Sequence, residues 1–487
     1  MPLTIPPHRS AGNTGHITDH NDLADIATAI LQPVTIVDAP TGVTATDTAA
    51  INTAITAWKA AGYGVLQFAL GNYLTSGGHD IGGGDRQGIV TGCGWGTTVK
   101  LDNSSNTDMF TFGGVNTNGL TIRDMHLDGN GGNQTAGNII NGYGSVMCRY
   151  VNLWIDRPYA SASLSTSSTA GIRLYQNGAG NTGQQNVVER CLFANNDSSN
   201  TANQIGVMIV ANDENWVVDC LFQAFGTSSQ SYPSAVYDQS GLSCITGNTF
   251  VTGTGIYVGG GGNRSRIIGN MMDGPASSYG QIYLGNSGSL VSGNYCFNIP
   301  ASKDGIYIDN TDHILVIGNL CETLNNTAAT SGIHLGGSPS VCQVSGNIMK
   351  VQGSGSWAVP SGISIDSPTA IAGCLIRDNL PGTSDGGNVS GSVTVDWSSS
   401  EATWKGTLTG NITTLTLNNP IAKGVYTMIL RQGGSGSYTV AWPSSVKWPG
   451  GVTPSWGTSV GHSNVVTLAW DADQSVYRGY AETDYAA

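Results

Sequence analysis

The sequence predicts an all-β protein: a right-handed parallel β-helix, entered through one capping helix and followed by a carboxy-terminal β-sandwich. Three observations carry this. Only 10% of residues are charged while glycine fills 69 of 487 positions, a composition that suits turn-rich strands and leaves helices short of Glu, Lys and Arg. The dipeptide Gly-Asn returns at Gly247, Gly269, Gly293, Gly318 and Gly346, in steps of 22, 24, 25 and 28. Between these points runs a short strand with apolar residues two apart, at Ile256-Tyr257-Val258, Ile282-Tyr283-Leu284, Ile306-Tyr307-Ile308, Ile333-His334-Leu335 and Ile363-Ser364-Ile365.

The two signatures keep step, with 14, 12, 13 and 14 residues from the first Ile of each strand to the following Asn. Each unit therefore holds at least two strands with turn residues between them and no helix, which is one rung of a parallel solenoid. Leucine-rich and helical repeats need consensus residues that these units lack. At 487 residues the chain exceeds one compact core, and an elongated repeat domain with flanking units accommodates that length.

Taken in order, residues 1–45 form an amino-terminal segment in which His16, Asp19, His20 and Asp22 crowd together. A metal site needs three or four converging ligands, and Gly15 and Thr18 start any helix here too late to bring both histidines to one face. Thr18 or Asn21 suits an N-cap, with Asp22 and Asp25 near the positive end of the following helix. The segment is expected to dock to a partner rather than hold a metal.

Residues 46–383 make the solenoid. Ala50, Ile51, Ala54, Ile55 and Trp58 fall at helical spacing from Asp47, a candidate cap, to Ala61, with Gly62 just past the end. Two short strands follow, around Val65–Phe68 and Tyr73-Leu74, broken at Gly71-Asn72. "GCGWGTT" at 92–98 lacks the Lys-Ser/Thr ending of a phosphate loop and leads into a strand, so a tight turn is expected. Cys191, Cys220, Cys244, Cys296, Cys321, Cys342 and Cys374 fall mostly one per unit, as small hydrophobes stacked inside the solenoid. An odd total of nine with no CxxC pair argues against a disulfide framework or zinc knuckle. The Asn of each Gly-Asn pair suits a left-handed turn position from which its amide bonds to the next rung.

Residues 384–487 change character. Strand-like runs alternate with turns, "SVTVDW", "TLTLNN", "VYTMILRQ", "YTVAWP" and "NVVTLAWDAD", as in a β-sandwich. Six of the eleven tryptophans lie here, Trp397, Trp404, Trp442, Trp448, Trp456 and Trp470. Trp448 and Trp456, set among Pro and Gly, are the ones expected to be exposed for binding.

The helix followed by "GVLQFALGNYLTS" and "GIVTGCGWGTTVKL" resembles the amino-terminal entrance of pectate-lyase-like β-helix proteins, a group that spans polysaccharide lyases, hydrolases and phage tailspikes. "GHITDHNDLADI" is similar to a segment near the start of tail fibre and minor tail proteins of phages infecting actinobacteria, and "YTVAWPSSVKWPGGVTPSW" is similar to a carboxy-terminal module of phage tail fibres. The middle resemblance covers about 340 residues with loose motifs, and the end motifs are short but more specific. Together they imply a tail fibre or tailspike located in the virion tail, attached to other tail proteins through residues 1–45. A homotrimer adsorbing to host surface polysaccharide is implied with it. The alternatives are a secreted bacterial polysaccharide lyase or glycoside hydrolase, and a purely structural tail component. The chain departs from the enzymatic branches: it lacks the Asn-Thr-Asp, Asp-Asp and Gly-His-Gly set of polygalacturonases, apart from the fragment Asn310-Thr311-Asp312, and the calcium-site carboxylates with an arginine of pectate lyases.

A formal charge of −13 gives no basic footprint for nucleic acid or an anionic membrane surface. Neutral glycan remains open, and no cofactor is implied. The opening residues show no positive segment followed by an apolar run, and no stretch is long and apolar enough to span a membrane. Synthesis in the host cytoplasm without a Sec signal is therefore expected.

Glycan cleavage needs two carboxyl groups flanking the scissile bond. Asp309 and Asp366 each follow an Ile-x-Ile strand directly, two units apart and so about 10 Å from one another. Asp213 and Glu214, with Asp238 in the next unit, form a second set. Aspartates at strand ends are also ordinary turn residues. Tyr257, Tyr283 and Tyr307 occupy one outward position in three successive units. Their rings serve either to pack sugar C–H faces or as a subunit interface.

Overall fold

The computed structural model describes residues 33–486, apart from 84–86, 114–115, 160–164, 166, 177–183, 196–203, 211–213, 225–234, 241, 252–254, 260–263, 275–278, 325–327, 351–355, 359–361, 367–373, 378, 380–382, 398–402, 419 and 421–423. The His16, Asp19, His20 and Asp22 cluster lies outside the described residues. Among these residues no helix is long and apolar enough to cross a membrane.

The entrance helix spans Thr44–Ala60, starting three residues before the expected cap. Asp47 lies inside the helix and does not cap it; it ties the preceding loop and a neighbouring strand to the first turn. Its carboxylate accepts hydrogen bonds from Thr41 N–H and Oγ1, Gly42 N–H and Leu74 N–H. Burial pushes the pKa up, but these donors outweigh it and hold the group below the usual carboxylate range. Ile51, Ile55 and Trp58 are buried against the strands Val34–Val37 and Gly71–Thr75, each worth about 1.5–3 kcal/mol of burial.

Each full rung then holds three parallel strands. The first belongs to an eleven-stranded sheet running from His79–Asp80 to Ile363–Ile365, and the second and third to one 22-stranded sheet. Two eight-residue strands, Thr121–Asp128 and Arg149–Asp156, run through the corner between second and third strands without a break. Arg149–Val151 pairs with Val187–Glu189, and Trp154–Asp156 with Leu192–Ala194. That continuity joins both ladders into a single sheet.

The interior is built in columns, because in-register parallel pairing puts like positions of successive rungs on top of one another. Phe193, Phe222 and Phe250 stack at 4.6 and 4.8 Å between centroids, and Met272, Cys296, Cys321 and Met349 continue the column. Cys148, Cys191, Cys220, Cys342 and Cys374 are buried at corners, while Cys244 points outward and is half-buried.

The Gly-Asn pair divides its labour differently from the sequence expectation. The left-handed residue is the glycine, with φ between 64° and 68° at Gly247, Gly269, Gly293, Gly318 and Gly346, where a side chain would strain the backbone. The asparagine turns inward instead. Asn248, Asn270, Asn294, Asn319, Asn347 and Asn379 form a buried ladder in which each Nδ2 donates to the next Oδ1 at 2.9 Å.

A second buried core, from Val389 to Tyr477, is separate from the solenoid core that ends at Cys374. Its six strands form one mixed sheet, where two packed sheets were expected: Thr383–Asp396, Thr403–Asn418, Val425–Gln432, Ser463–Asp471, Val476–Tyr485 and Val446–Lys447 in spatial order. The first two strands are 14 and 16 residues long with three register shifts between them. Such bulges bend a strand, which lets a single sheet wrap a core holding Trp397, Trp404, Tyr426 and Trp448.

Candidate functional site

One outward column of the eleven-stranded sheet reads Met208, Tyr237, Tyr257, Tyr283, Tyr307, His334 and Ser364, each paired with the next across one rung. The tyrosines are in register as expected, with Tyr237 added to the three predicted. Their rings lie face to face, however: centroids are 4.5, 5.0 and 5.9 Å apart and planes within 8° of parallel. The ring faces cover one another, so the stripe offers edges and hydroxyls to solvent rather than flat surfaces. Tyr237 and Tyr283 are buried.

The stripe ends in a polar cluster. Tyr307 meets His334 edge-on at 4.7 Å, and Tyr279 meets Tyr307 edge-on at 5.1 Å. His334 Nδ1 is 3.0 Å from Asp304 Oδ2, and its Nε2 is 2.8 Å from Asp366 Oδ1. Asp304 is buried and also accepts a 2.6 Å hydrogen bond from Ser331 Oγ. Asp366 takes a second bond from the Gly337 N–H at 3.1 Å. Burial pulls the imidazole pKa down, but the hydrogen bonds and charges of Asp304 and Asp366 outweigh it and lift it above its ordinary 6.5. For Asp366, burial acts upward, yet the bonds from His334 and Gly337 prevail and keep the carboxyl below its usual range.

Asp309 stands in the neighbouring outward column. It pairs with Gly336, and one rung further on that column reaches Asp366, next after the Leu335–Ile365 pair. Its Oδ2 accepts a 2.5 Å bond from the Tyr283 hydroxyl. Asp309 and Asp366 thus flank Gly336 on both sides, and the Tyr307 hydroxyl lies over that glycine, where an added Cβ would collide with it. Burial and the charges of Asp309 and Asp366 push the Tyr307 phenol up to about 12. It is therefore a hydrogen-bond donor throughout the physiological range. Two rungs set the aspartates about 10 Å apart along the sheet, close to the roughly 6.5–9.5 Å between carboxyls of inverting glycosidases.

The second carboxylate set is not brought together. Asp213 lies outside the described residues. Glu214 is a left-handed corner residue, φ 54°, that accepts a bond from Gln185. Asp238 faces inward, in the column that contains Ile209 and Val258, because it takes the third position of an apolar-x-apolar strand. It is fully buried and accepts bonds from Ser240 N–H, Ser240 Oγ and Ser265 Oγ at 2.9, 2.6 and 3.1 Å. Burial raises its pKa in spite of these donors. Trp448, expected to be exposed, is buried edge-on to Trp442, and Trp456 is half-buried in ring-to-ring contact with Trp442 at 5.5 Å. Both belong to the terminal core's aromatic packing.

His334 and Asp304 were missed from sequence. His334 had a signal, since "IHL" falls in step with "IYV", "IYL" and "IYI". Asp304 opens the strand Asp304–Asp309, two residues before Ile306, where the other units carry no acidic residue in step, and had none.

The 22-stranded sheet presents different chemistry outward. Its second-strand column reads Val187, Trp216, Cys244, Arg266, Leu290, Leu315, Gln343 and Leu375. The third-strand column reads Leu192, Leu221, Thr249, Met271, Tyr295, Leu320 and Ile348. One rung before Val187 the second-strand column continues to Arg149; Arg266 is the charged residue of the later rungs, and Leu221, Met271, Leu315, Ile348 and Leu375 are exposed. The outward positions two residues on in the same strands carry Glu189, Gln223, Asp273 and Lys350, so these apolar residues form stripes between polar ones.

No family model and no curated protein matches the chain. Solved structures resemble it in fold. A mutant tailspike protein of E. coli bacteriophage HK620, in complex with a pentasaccharide, superimposes with a TM-score of 0.50 at 14% identity, covering 89% of this chain and 81% of that one. For the endo-xylogalacturonan hydrolase of Aspergillus tubingensis the values are 0.46 and 16%, over 71% and 100% of the chains. ORF18 of Geobacillus virus E2 gives 0.44 and 13%, over 98% and 81%. At these identities the likeness is one of fold, the parallel β-helix.

Proposed function

We propose that this chain is a phage tailspike that adsorbs to host surface polysaccharide along the eleven-stranded sheet and hydrolyses it between Asp309 and Asp366. The observation that carries the reading is the slot at Gly336, with one carboxylate in the rung on each side and the tip of the Tyr307 ring lying against the glycine. A glycosidic bond lying across this slot has Asp366, held ionised by His334 and the Gly337 N–H, placed to activate a water on one side. Asp309 stands on the other side and, in its protonated form, gives its proton to the leaving oxygen from the carboxyl oxygen that Tyr283 does not bond. The separation of the pair favours inversion. Acidic groups crowd this face, so the reading takes a neutral glycan as substrate.

Residues 1–45 attach the protein to other tail proteins, and three copies associate through the exposed apolar side chains of the later rungs of the 22-stranded sheet, Met271, Leu315, Ile348 and Leu375, clear of the early corners. That arrangement removes the most apolar surface from water and leaves the tyrosine column facing solvent. Purified protein is incubated with cell-envelope polysaccharide from actinobacterial hosts, following retention on the glycan and release of new reducing ends. Ends that vanish in Asp309→Asn and Asp366→Asn, with retention kept, support the hydrolase. Retention without new ends in the wild type reduces it to an adhesin, and no retention on any host glycan overturns the reading.

A further inference from the structure

The corner between second and third strands is where the rungs differ most. From Gly247 onward glycine recurs as the left-handed residue. In earlier rungs the same place is taken by Asp124, Asn152, Arg190 and Asp219, with φ of 55°, 52°, 51° and 52°. This conformation disfavours residues with a Cβ, least of all Asn and Asp, so an arginine there runs against the backbone's preference. Strain of this kind points to a use for the side chains.

Three of the four share one feature. Asp124, Asn152 and Arg190, with Arg123 and Val151, line an open cavity of about 400 Å³, a size that takes a small ligand such as one or two sugar rings. Its charges do not cancel. Asp124 accepts a 2.7 Å bond from Asn152 Nδ2 and lies 3.5 Å from Arg123. Glu189 is engaged by Arg149, and Arg190 stands off from it at 3.7 Å. The residues lining the cavity thus bring two guanidinium groups and one carboxylate, in a chain whose net charge is −13. The side chains of Arg123 and Arg190 remain 47% and 66% exposed.

An aromatic platform adjoins the cavity. Trp95 is 43% exposed, and its Nε1 donates to the Asn152 carbonyl at 3.0 Å. It rests edge-on against Trp154 at 5.8 Å, and Trp154 stacks on His126 at 3.9 Å. Rigid rings beside paired guanidinium forks suit a ligand with an apolar C–H face and an anionic group.

We propose that this corner is a second glycan-binding site, selective for a sugar bearing a carboxylate or phosphate. The anionic group lies between Arg123 and Arg190, and the sugar ring packs on Trp95. The site sits on the other sheet from Asp309 and Asp366, whose charges repel such a ligand, and it stands whether or not those residues cleave anything. Calorimetry on the whole 487-residue chain at low salt tests it, with oligogalacturonate, glucose 6-phosphate and neutral dextran as probes. At least one anionic probe is expected to bind, about tenfold more weakly in Arg123→Gln/Arg190→Gln and in Trp95→Ala, and more weakly as salt rises. The tighter of the two names the source of the anion. Asp309→Asn and Asp366→Asn are expected to bind it unchanged, which separates this site from the hydrolytic one. The proposal is overturned if neither anionic probe binds, if dextran binds equally well, or if the double-arginine variant with native circular dichroism binds like the wild type.

Discussion

His334 Nε2 lies 2.8 Å from Asp366 Oδ1 while the other ring nitrogen faces Asp304, so one imidazole ties an exposed carboxylate to a buried one. The pKa of His334 is raised, so its charge contributes stability that is fully present below about pH 6.5 and lost as pH climbs through the raised folded value. The pKa of Asp366 is lowered, so its contribution is present above about pH 3.8 and lost as pH falls through the depressed value. The pair is intact between these limits. We expect wild-type melting temperature to decline on the alkaline side, and His334→Gln to be less stable at pH 6 with a flatter alkaline limb. Thermal melts from pH 5 to 9 check this, and parallel curves for both proteins would refute it.

The slot over Gly336 predicts a variant that harms function more than folding. Gly336 does not have a left-handed φ, so alanine meets no backbone strain, and the obstacle is the tip of the Tyr307 ring, its hydroxyl, Cζ and Cε1. Moving that ring by about 1 Å misplaces the group above the proposed cleavage point, a shift worth about a hundredfold in rate. Gly336→Ala is therefore expected to lose most glycan cleavage while melting close to wild type. Full activity in this variant would remove Tyr307 from the mechanism.

Asp238 predicts the opposite behaviour. It is buried among Ser240, Ser243 and Ser265 on the inner face of its strand, with no route to a ligand on the sheet's outer surface. Asp238→Asn keeps an acceptor for the serines and removes a charge that burial disfavours. Its cleavage and binding should match the wild type, whereas Asp366→Asn should reduce cleavage at least a hundredfold. Reducing-end assays on both variants decide the point, and a dead Asp238→Asn would mean that this carboxylate reaches substrate.

The contrast between these aspartates shows how far the sequence reached. Rungs were legible because in-register pairing repeats one residue type at one place, and Gly-Asn marks a corner that few other pairs satisfy. The inward position of Asp238 was legible too, since it aligns with Val258 in the period-two strand, but the strand-end position of an aspartate resembled turn chemistry more strongly. Ring orientation was not legible. Whether Tyr257 and Tyr283 offer faces or edges depends on rotamers fixed by rung spacing, which places neighbouring rings close enough to stack. The early corners at Asn152 and Arg190 carry no Gly-Asn, so the repeat faded where the arginine cavity lies.

The inner ladder gives the sharpest prediction for the fold itself. Asn319 receives bonds from both the N–H and Nδ2 of Asn294, each at 2.9 Å, and donates to Val291 O and Asn347 Oδ1 at 3.0 and 2.9 Å. Alanine here strands several buried polar groups, each worth about 1–3 kcal/mol when left unpaired, and water has no ready path into a corner flanked by Val291 and Val316. Gly318, one residue earlier, has φ 66° and nothing within 4 Å of an added Cβ, so alanine there meets backbone strain alone, about 1–2 kcal/mol. Asn319→Ala is expected to cost about 3 kcal/mol or more and Gly318→Ala clearly less. Chemical unfolding followed by near-ultraviolet circular dichroism ranks the two. If the glycine variant proved the less stable, corner geometry rather than the asparagine ladder would be what holds successive rungs in register.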